Sequence, residues 1–275
     1  MNTEAIDTSV GFPQSHTYEG FSGREFYQKI NTALLRQAPI VKTAADFGSG
    51  LGTIIEQLIA LGKLESPFQV FGIDIDPSAV NSARRKFERY GEQVKFVQGT
   101  IEENVPIPDS HVKLVTCFNC IHLTNVPRVL KEAKRILVPN GTLMINTAYE
   151  KSKANPGNTA RYWGLIASFA RKAAKELGYS DIPNPVNLFQ HSTDDYVAMA
   201  KEAGFTDIKT DTVPAEMDRE AFETICNYED FAQGALPGIP ANIARSLLVN
   251  AVAKMFERAK VPFVTRNWMF LTARS

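Results

Sequence analysis

Apolar positions along the first half of the chain change period in a regular way. Thr43–Phe47 is a short apolar run that stops at a glycine cluster. Thr53–Leu61 then sets Ile54, Ile55, Leu58 and Ile59 on one stripe at helical spacing, and Gly62 ends it. Gln69–Ile73 has the pattern of a second strand. Asp76-Pro77 supplies an N-cap followed by proline at the first helical position, so Ser78–Tyr90 reads as a helix running to Gly91. Val94–Gln98 is a third strand, and Val112–Phe118 a fourth, apolar throughout as suits a strand covered on both faces. Val126–Leu137 is a helix with Val129, Leu130, Ala133, Ile136 and Leu137 on one face. Pro139-Asn140-Gly141 predicts a turn and Thr142–Ala148 a fifth strand. Strands alternating with helices predict a parallel sheet with helices on both sides.

After Tyr149 the rhythm changes. Thr159–Leu177 is a long amphipathic helix, broken by Pro183–Pro185. Thr193–Ala203 is another helix, Gly204 stops it, and Phe205–Val213 is a sixth strand. Two helical stretches are expected around Leu236-Pro237-Gly238-Ile239-Pro240, and Asn267–Ala273 is the last strand. Two segments, 155–190 and 214–262, thus interrupt the strand–helix alternation and carry many large apolar residues, among them Trp163, Phe169, Phe222, Phe231 and Phe256.

Composition narrows the function classes. At ~150 residues per domain, 275 residues make one large domain or two small ones. Lys+Arg and Asp+Glu each number 30, so there is no cationic excess to neutralise phosphates and no nucleic-acid partner is expected. No window approaches the ~18 uninterrupted apolar residues of a membrane span. Met1–Pro13 lacks the basic and apolar regions of a secretory leader. Three cysteines, an odd number, suit a reducing compartment, and a cytoplasmic location is expected. Cys117 and Cys120 have a redox or zinc spacing. They lie inside the apolar run Leu114–Leu123 with no second pair elsewhere, so they read as a buried strand end and no metal site is expected.

The central signal is Asp46-Phe47-Gly48-Ser49-Gly50-Leu51-Gly52, between the first strand and the first helix. Glycines there let the backbone turn sharply and approach a ligand, and the helix that follows offers free amides to an anion. Strand two ends at Asp74, where a carboxylate can accept both hydroxyls of a ribose. Both features also suit a nicotinamide dinucleotide, but the last glycine of the G-x-G-x-x-G fingerprint is replaced by Thr53.

With Gly72-Ile73-Asp74-Ile75-Asp76-Pro77, Gln98-Gly99-Thr100-Ile101-Glu102, Leu130–Gly141 and Ala203-Gly204-Phe205, the chain resembles the class I S-adenosylmethionine-dependent methyltransferases over about residues 40–210. Within them it is similar to the small-molecule type, of the UbiE and juvenile-hormone-acid methyltransferase kind. The resemblance implies a doubly wound, Rossmann-like α/β fold: a seven-stranded, mostly parallel sheet with an antiparallel last strand, plus helical cap insertions. It divides one domain, 1–275, into an N-terminal lid (1–38), a cofactor-binding core (40–150) and caps at 155–190 and 214–262.

The resemblance also implies roles. Gly48, Ser49, Gly50 and Gly52 would hold the methionine end of S-adenosylmethionine, with Asp46 facing its ammonium. Asp74 would take the ribose hydroxyls and Ile75 pack on the adenine. Gly99, Thr100 and Ile101 would border its other face. Many relatives have an acid where Thr100 stands, so the adenine amino group would be met by the Thr100 hydroxyl or by Glu102.

Cys117–Leu123 ends strand four, and in an open parallel sheet ligands sit beyond the carboxyl ends of strands, which brings Asn119 and His122 to the site. His122 is either a general base with a near-neutral pKa or a hydrogen-bonding wall residue that orients a loop. Gln14, His16 and Tyr18, in a segment that often closes over the cofactor in this family, are candidates for acceptor contacts. A small, largely apolar acceptor is expected under the two insertions, methylated at oxygen, as a carboxylate or a phenol. An amine or carbon acceptor, and a cofactor-binding module without catalysis, stay open beside it.

Overall fold

The computed structural model describes residues 22–185, 187–188 and 190–275. Helix α1 (Glu25–Leu35) precedes strand β1 (Val41–Phe47), then α2 (Thr53–Ala60), β2 (Leu64–Asp74), α3 (Pro77–Lys86), β3 (Val94–Gln98), β4 (Val112–Phe118), α4 (Val126–Ile136) and β5 (Leu137–Thr147). After these come α5 (Ala160–Glu176), α6 (Thr193–Glu202), β6 (Thr206–Asp218), α7 (Arg219–Cys226), α8 (Glu229–Ala235), α9 (Ala241–Ala259) and β7 (Phe263–Arg274). The strands form one sheet in the order β3-β2-β1-β4-β5-β7-β6. β3, β2, β1, β4 and β5 pair in parallel, and β7 runs antiparallel to β5. This is the doubly wound sheet with a reversed last strand that the sequence predicts.

Local chemistry accounts for most boundaries. Asp76 caps α3 by accepting the Ser78 amide at 2.8 Å, with Pro77 at the first helical position. Asn125 caps α4 in the same way, and Val129, Leu130, Ala133 and Ile136 of that helix are buried against the sheet. Each of the Val, Leu and Ile side chains contributes about 1.5–3 kcal/mol of apolar burial. Two boundaries differ from expectation. Pro139-Asn140-Gly141 is not a turn before a strand but an outward bulge within β5. The register with β4 jumps from Val112↔Leu137 to Leu114↔Thr142, and Asn140 takes φ +60°. Two helices expected around Pro237 are three, because Tyr228 is extended and separates α7 from α8.

The described residues cluster into two compact units, 22–25 with 157–185 and 216–265, and 26–156 with 187–215 and 266–275. In the first, α9 packs against α5, α7 and α8. Its core is aromatic: Trp163 lies 4.6 Å from Phe222 and 5.7 Å from Phe231, and Phe222 meets Phe256 edge-on at 5.6 Å. The large apolar residues of the two insertions are thus spent in good part on this unit's own interior.

The second unit is the sheet with its flanking helices. Phe47, Ile73, Val115, Ile145 and Leu271 lie at its centre. Its connection from β5 to α6 is tied by one buried carboxylate, Glu150. That side chain accepts hydrogen bonds from the Ser152 hydroxyl (2.6 Å), the Thr193 amide (2.7 Å) and hydroxyl (3.1 Å), and the Ser152 and Lys153 amides. Burial raises its pKa, but these donors outweigh burial and hold it below the ordinary glutamate value. Its contribution is therefore complete above the unfolded glutamate range and is lost as pH falls through the lowered folded value. Glu150→Ala is expected to cost about 2–3 kcal/mol at pH 7, the worth of hydrogen bonds to a charged group. Melting curves from pH 7 down to pH 3 should show the gap between parent and variant closing with acid.

Candidate active site

The turn from β1 to α2 is built so that only glycine serves at two of its positions. Gly48 has φ +69°, and a Cβ there would lie 2.5 Å from the Cys120 sulfur. Gly52 has φ +79°, and its Cβ would meet the Phe87 ring at 2.6 Å. The Gly48 and Ser49 amides donate to the Ile73 carbonyl at 2.8 and 3.0 Å. The Gly50 amide donates to Asp74 Oδ2 at 2.7 Å, while Asp74 Oδ1 accepts from the Asp76 amide at 2.9 Å. Asp74, half-buried, therefore clamps the glycine loop as well as standing at the end of β2.

Asp46, the next-to-last residue of β1, is 1% exposed in the middle of the sheet. Thr116, its register partner on β4, donates to Oδ1 at 2.6 Å. Oδ2 is buried and has no hydrogen-bond partner among the described residues. Burial raises the Asp46 pKa to about 7; the Thr116 hydroxyl opposes the rise, and the negative charge of Asp74 adds to it. The Ser49 hydroxyl oxygen and Asn119 Nδ2 are likewise buried without a partner among the described residues. Native interiors leave few polar groups unpaired, and three at the carboxyl ends of neighbouring strands ask for a ligand. A carboxylate oxygen, a hydroxyl and an amide donor fit the ammonium and carboxylate of an α-amino acid.

The adenine side is less enclosed. Ile75 is 73% exposed, an apolar surface available for stacking. The Gly99 amide donates to the Asp74 carbonyl at 2.9 Å, which places the β3 loop next to the end of β2. The Thr100 hydroxyl accepts the Glu102 amide, and the Glu102 carboxylate accepts the Asn125 amide at 2.9 Å, so Glu102 is turned to the start of α4. The Ile101 side chain is packed into the core of the sheet.

At the end of β4, Cys117 and Cys120 are free thiols 3.2 Å apart, and Cys120 donates to the Phe47 carbonyl at 3.0 Å. Cys120 thus supports the glycine loop from below. His122 is buried; its Nδ1 lies 3.0 Å from the Thr147 hydroxyl, and its ring stacks on Tyr149 with centroids 4.2 Å apart. Arg266 lies over the other partner of that stack, 4.8 Å from the Tyr149 centroid, and donates twice to the Ala148 carbonyl. Burial, and then the Arg266 charge, push the His122 pKa down to about 3. The near-neutral value expected of a base is therefore absent: the imidazole is neutral across the physiological range. Gln14, His16 and Tyr18 lie outside the described residues.

A protein-family model described as a methyltransferase domain matches residues 45–145, from β1 to β5. This segment is a class I S-adenosylmethionine-dependent methyltransferase domain. S-adenosylmethionine is the cofactor of that domain. The chain is 30% identical over 112 residues to the non-reducing polyketide synthase mapC of Penicillium roqueforti, a match covering 40% of this chain and 4% of that protein. It is 26% identical over 128 residues to the ubiquinone biosynthesis O-methyltransferase of Serratia proteamaculans, covering 46% of this chain and 51% of the relative. The chain thus spans about half, or less, of the length of these curated relatives. Its fold is shared with phosphoethanolamine N-methyltransferase 2 of Haemonchus contortus, solved with phosphomonomethylethanolamine and S-adenosylhomocysteine, at TM-score 0.57 and 17% identity, covering 94% of this chain and 56% of that one.

Thr116 contacts Asp46, Thr147 and Tyr149 contact His122, and no motif names any of the three. For Thr116 a signal exists, because β1–β4 pairing sets it opposite Asp46. The buried Asp46 makes two linked expectations. Its folded pKa of about 7 lies above the unfolded 3.8, so its contribution to stability is complete below pH 3.8 and is lost as pH rises through 7. Asp46→Asn should therefore melt higher than the parent at pH 8. A ligand ammonium favours the ionised carboxylate, so affinity for S-adenosylhomocysteine should fall as pH drops below 7, by up to about tenfold per unit. Asp46→Asn should bind more weakly at pH 8 and lose that pH dependence, which calorimetry between pH 5.5 and 8 reads directly.

Proposed function

We propose that this chain is an S-adenosylmethionine-dependent methyltransferase that acts on a small, largely apolar molecule at oxygen, as a carboxylate or a phenol. The cofactor part is carried by the unpaired Asp46 Oδ2, beside a glycine loop whose shape Asp74 maintains. Asp46 holds the ammonium of the cofactor, Asp74 takes its ribose hydroxyls, and Ile75 packs on its adenine. Gly48, Ser49 and Gly52 shape the turn around its methionine end, and Thr100 lies at the adenine rim.

The oxygen reading is supported by His122. Bound S-adenosylmethionine would supply a methyl group on a sulfonium: an acceptor lone pair would form the new bond to carbon in line as the S–C bond breaks, its electron pair staying on sulfur as the neutral thioether of S-adenosylhomocysteine. A neutral imidazole with a pKa near 3 is a weak base, and a carboxylate acceptor carries no proton to remove. Catalysis then lies in positioning and in keeping water away. His122, fixed by Thr147 and Tyr149, orients the wall of the site. The name of the Serratia relative, an O-methyltransferase, agrees with oxygen; that of the Haemonchus structure, an N-methyltransferase, keeps an amine as the second reading. The balance of 30 cationic and 30 acidic residues supports a small molecule over nucleic acid.

Calorimetry with S-adenosylmethionine and S-adenosylhomocysteine tests the cofactor, and failure of both to bind at millimolar concentration removes this reading. A screen of fatty acids, aromatic acids, phenols and amines with methyl-labelled cofactor tests the acceptor. Label in acids or phenols is expected; label confined to amines or carbon acids overturns the oxygen assignment. His122→Ala should lower kcat by less than tenfold with an unchanged pH profile, whereas a general base would cost ~10²–10⁴.

A further inference from the structure

Three asparagines, Asn119 and Asn146 at the carboxyl edge of the sheet and Asn31 on α1, are oriented by donors that admit no alternative. The indole Nε1–H of Trp268 can only donate, and it lies 2.7 Å from the side-chain oxygen of Asn119. That fixes Asn119 Oδ1 toward β7 and leaves Nδ2 on the other side. The Asn119 backbone amide donates to Asn146 Oδ1 at 2.9 Å, which likewise fixes the Asn146 amide. Asn146 Nδ2 then donates to Asn31 Oδ1 at 3.3 Å, so the free end of Asn31 is its Nδ2. Asn31 and Asn146 are 0% exposed and Trp268 is 1% exposed. The outcome is a relay that ends in two buried NH2 groups, Asn119 Nδ2 and Asn31 Nδ2, neither with a partner among the described residues.

The relay stands beside the glycine loop. Asn119 takes φ +57°, which turns the chain so that Cys120 reaches the Phe47 carbonyl and lies against Gly48. On the same strand, Thr116 holds Asp46. An unpaired carboxylate oxygen and unpaired amide donors therefore lie at the ends of adjacent strands. An α-amino acid carries a cation and an anion on one carbon, and needs both.

We propose that Trp268, Asn146 and Asn31 are positioning residues that present the Asn119 amide to the α-carboxylate of the cofactor's amino-acid end. The carboxylate accepts from Asn119 Nδ2 while Asp46 takes the ammonium. Trp268 acts only through Asn119: its indole keeps the amide from flipping and offering an oxygen to an anion. This inference rests on the cofactor reading above.

The test compares S-adenosylhomocysteine with its decarboxylated analogue, S-adenosyl-3-thiopropylamine, by calorimetry at pH 8 on the full chain. The parent should prefer the carboxylate-bearing ligand by about tenfold or more, the scale of one hydrogen bond to a charged group. Asn119→Ala and Trp268→Phe should each abolish that preference, leaving affinity for the analogue within about twofold. The Asn119→Ala/Trp268→Phe double variant should lose no more than Asn119→Ala, since one residue works through the other. Asn119→Asp keeps the acceptor that Trp268 needs and replaces the donor by a negative charge, so its preference should reverse toward the analogue even if Trp268→Phe fails to fold. Equal weakening of both ligands would mean a structural role only, and unchanged affinities would mean that the amide meets something else; either overturns the proposal. Absence of S-adenosylhomocysteine binding by the parent itself would instead remove the cofactor reading on which it stands.

Discussion

A half-satisfied carboxylate in the middle of the sheet sets the conditions for everything around it. The sheet order puts β1 between β2 and β4, so Asp46 at its end is surrounded by strands and cut off from water. An ionised carboxylate is stable there only with partners, and the protein supplies one, the Thr116 hydroxyl. The other oxygen holds a proton near neutrality or waits for a cation. A positively charged ligand at Asp46 would offset the cost of burying it.

The second acid, Asp74, solves a different problem. A glycine loop has little conformational preference of its own, and fixing it costs entropy. Asp74 and the Ile73 carbonyl take up the loop amides of residues 48–50, so the turn is held before any ligand binds. Cys120 fills the space that Gly48 leaves open. Preorganisation of this kind lowers the ordering cost at binding.

Much of this could be read along the chain because it is local. The Asp46–Gly52 loop, the Asp76-Pro77 cap and the apolar runs of β1 to β5 each depend on neighbours within a few residues, and the structure carries all of them. What could not be read depends on distant segments. Pro139-Asn140-Gly141 has the same turn chemistry whether it closes a strand or bulges from one; only pairing with β4 decides. The sequence places His122 at the site but not its protonation, which Tyr149 and Arg266 set from β5 and β7. Trp268 reaches Asn119 because β7 returns antiparallel beside β5. The large aromatics at 163, 222, 231 and 256 chiefly pack one another, and which of them meet is set by segments far apart in the chain.

The most direct measurement is a crystal structure of the chain with S-adenosylhomocysteine. The account predicts the ligand's ammonium within hydrogen-bonding distance of Asp46 Oδ2, its ribose hydroxyls on Asp74, and the glycine loop unmoved. A ligand whose amino-acid end lies elsewhere, with Asp46 Oδ2 still unpaired, would contradict it.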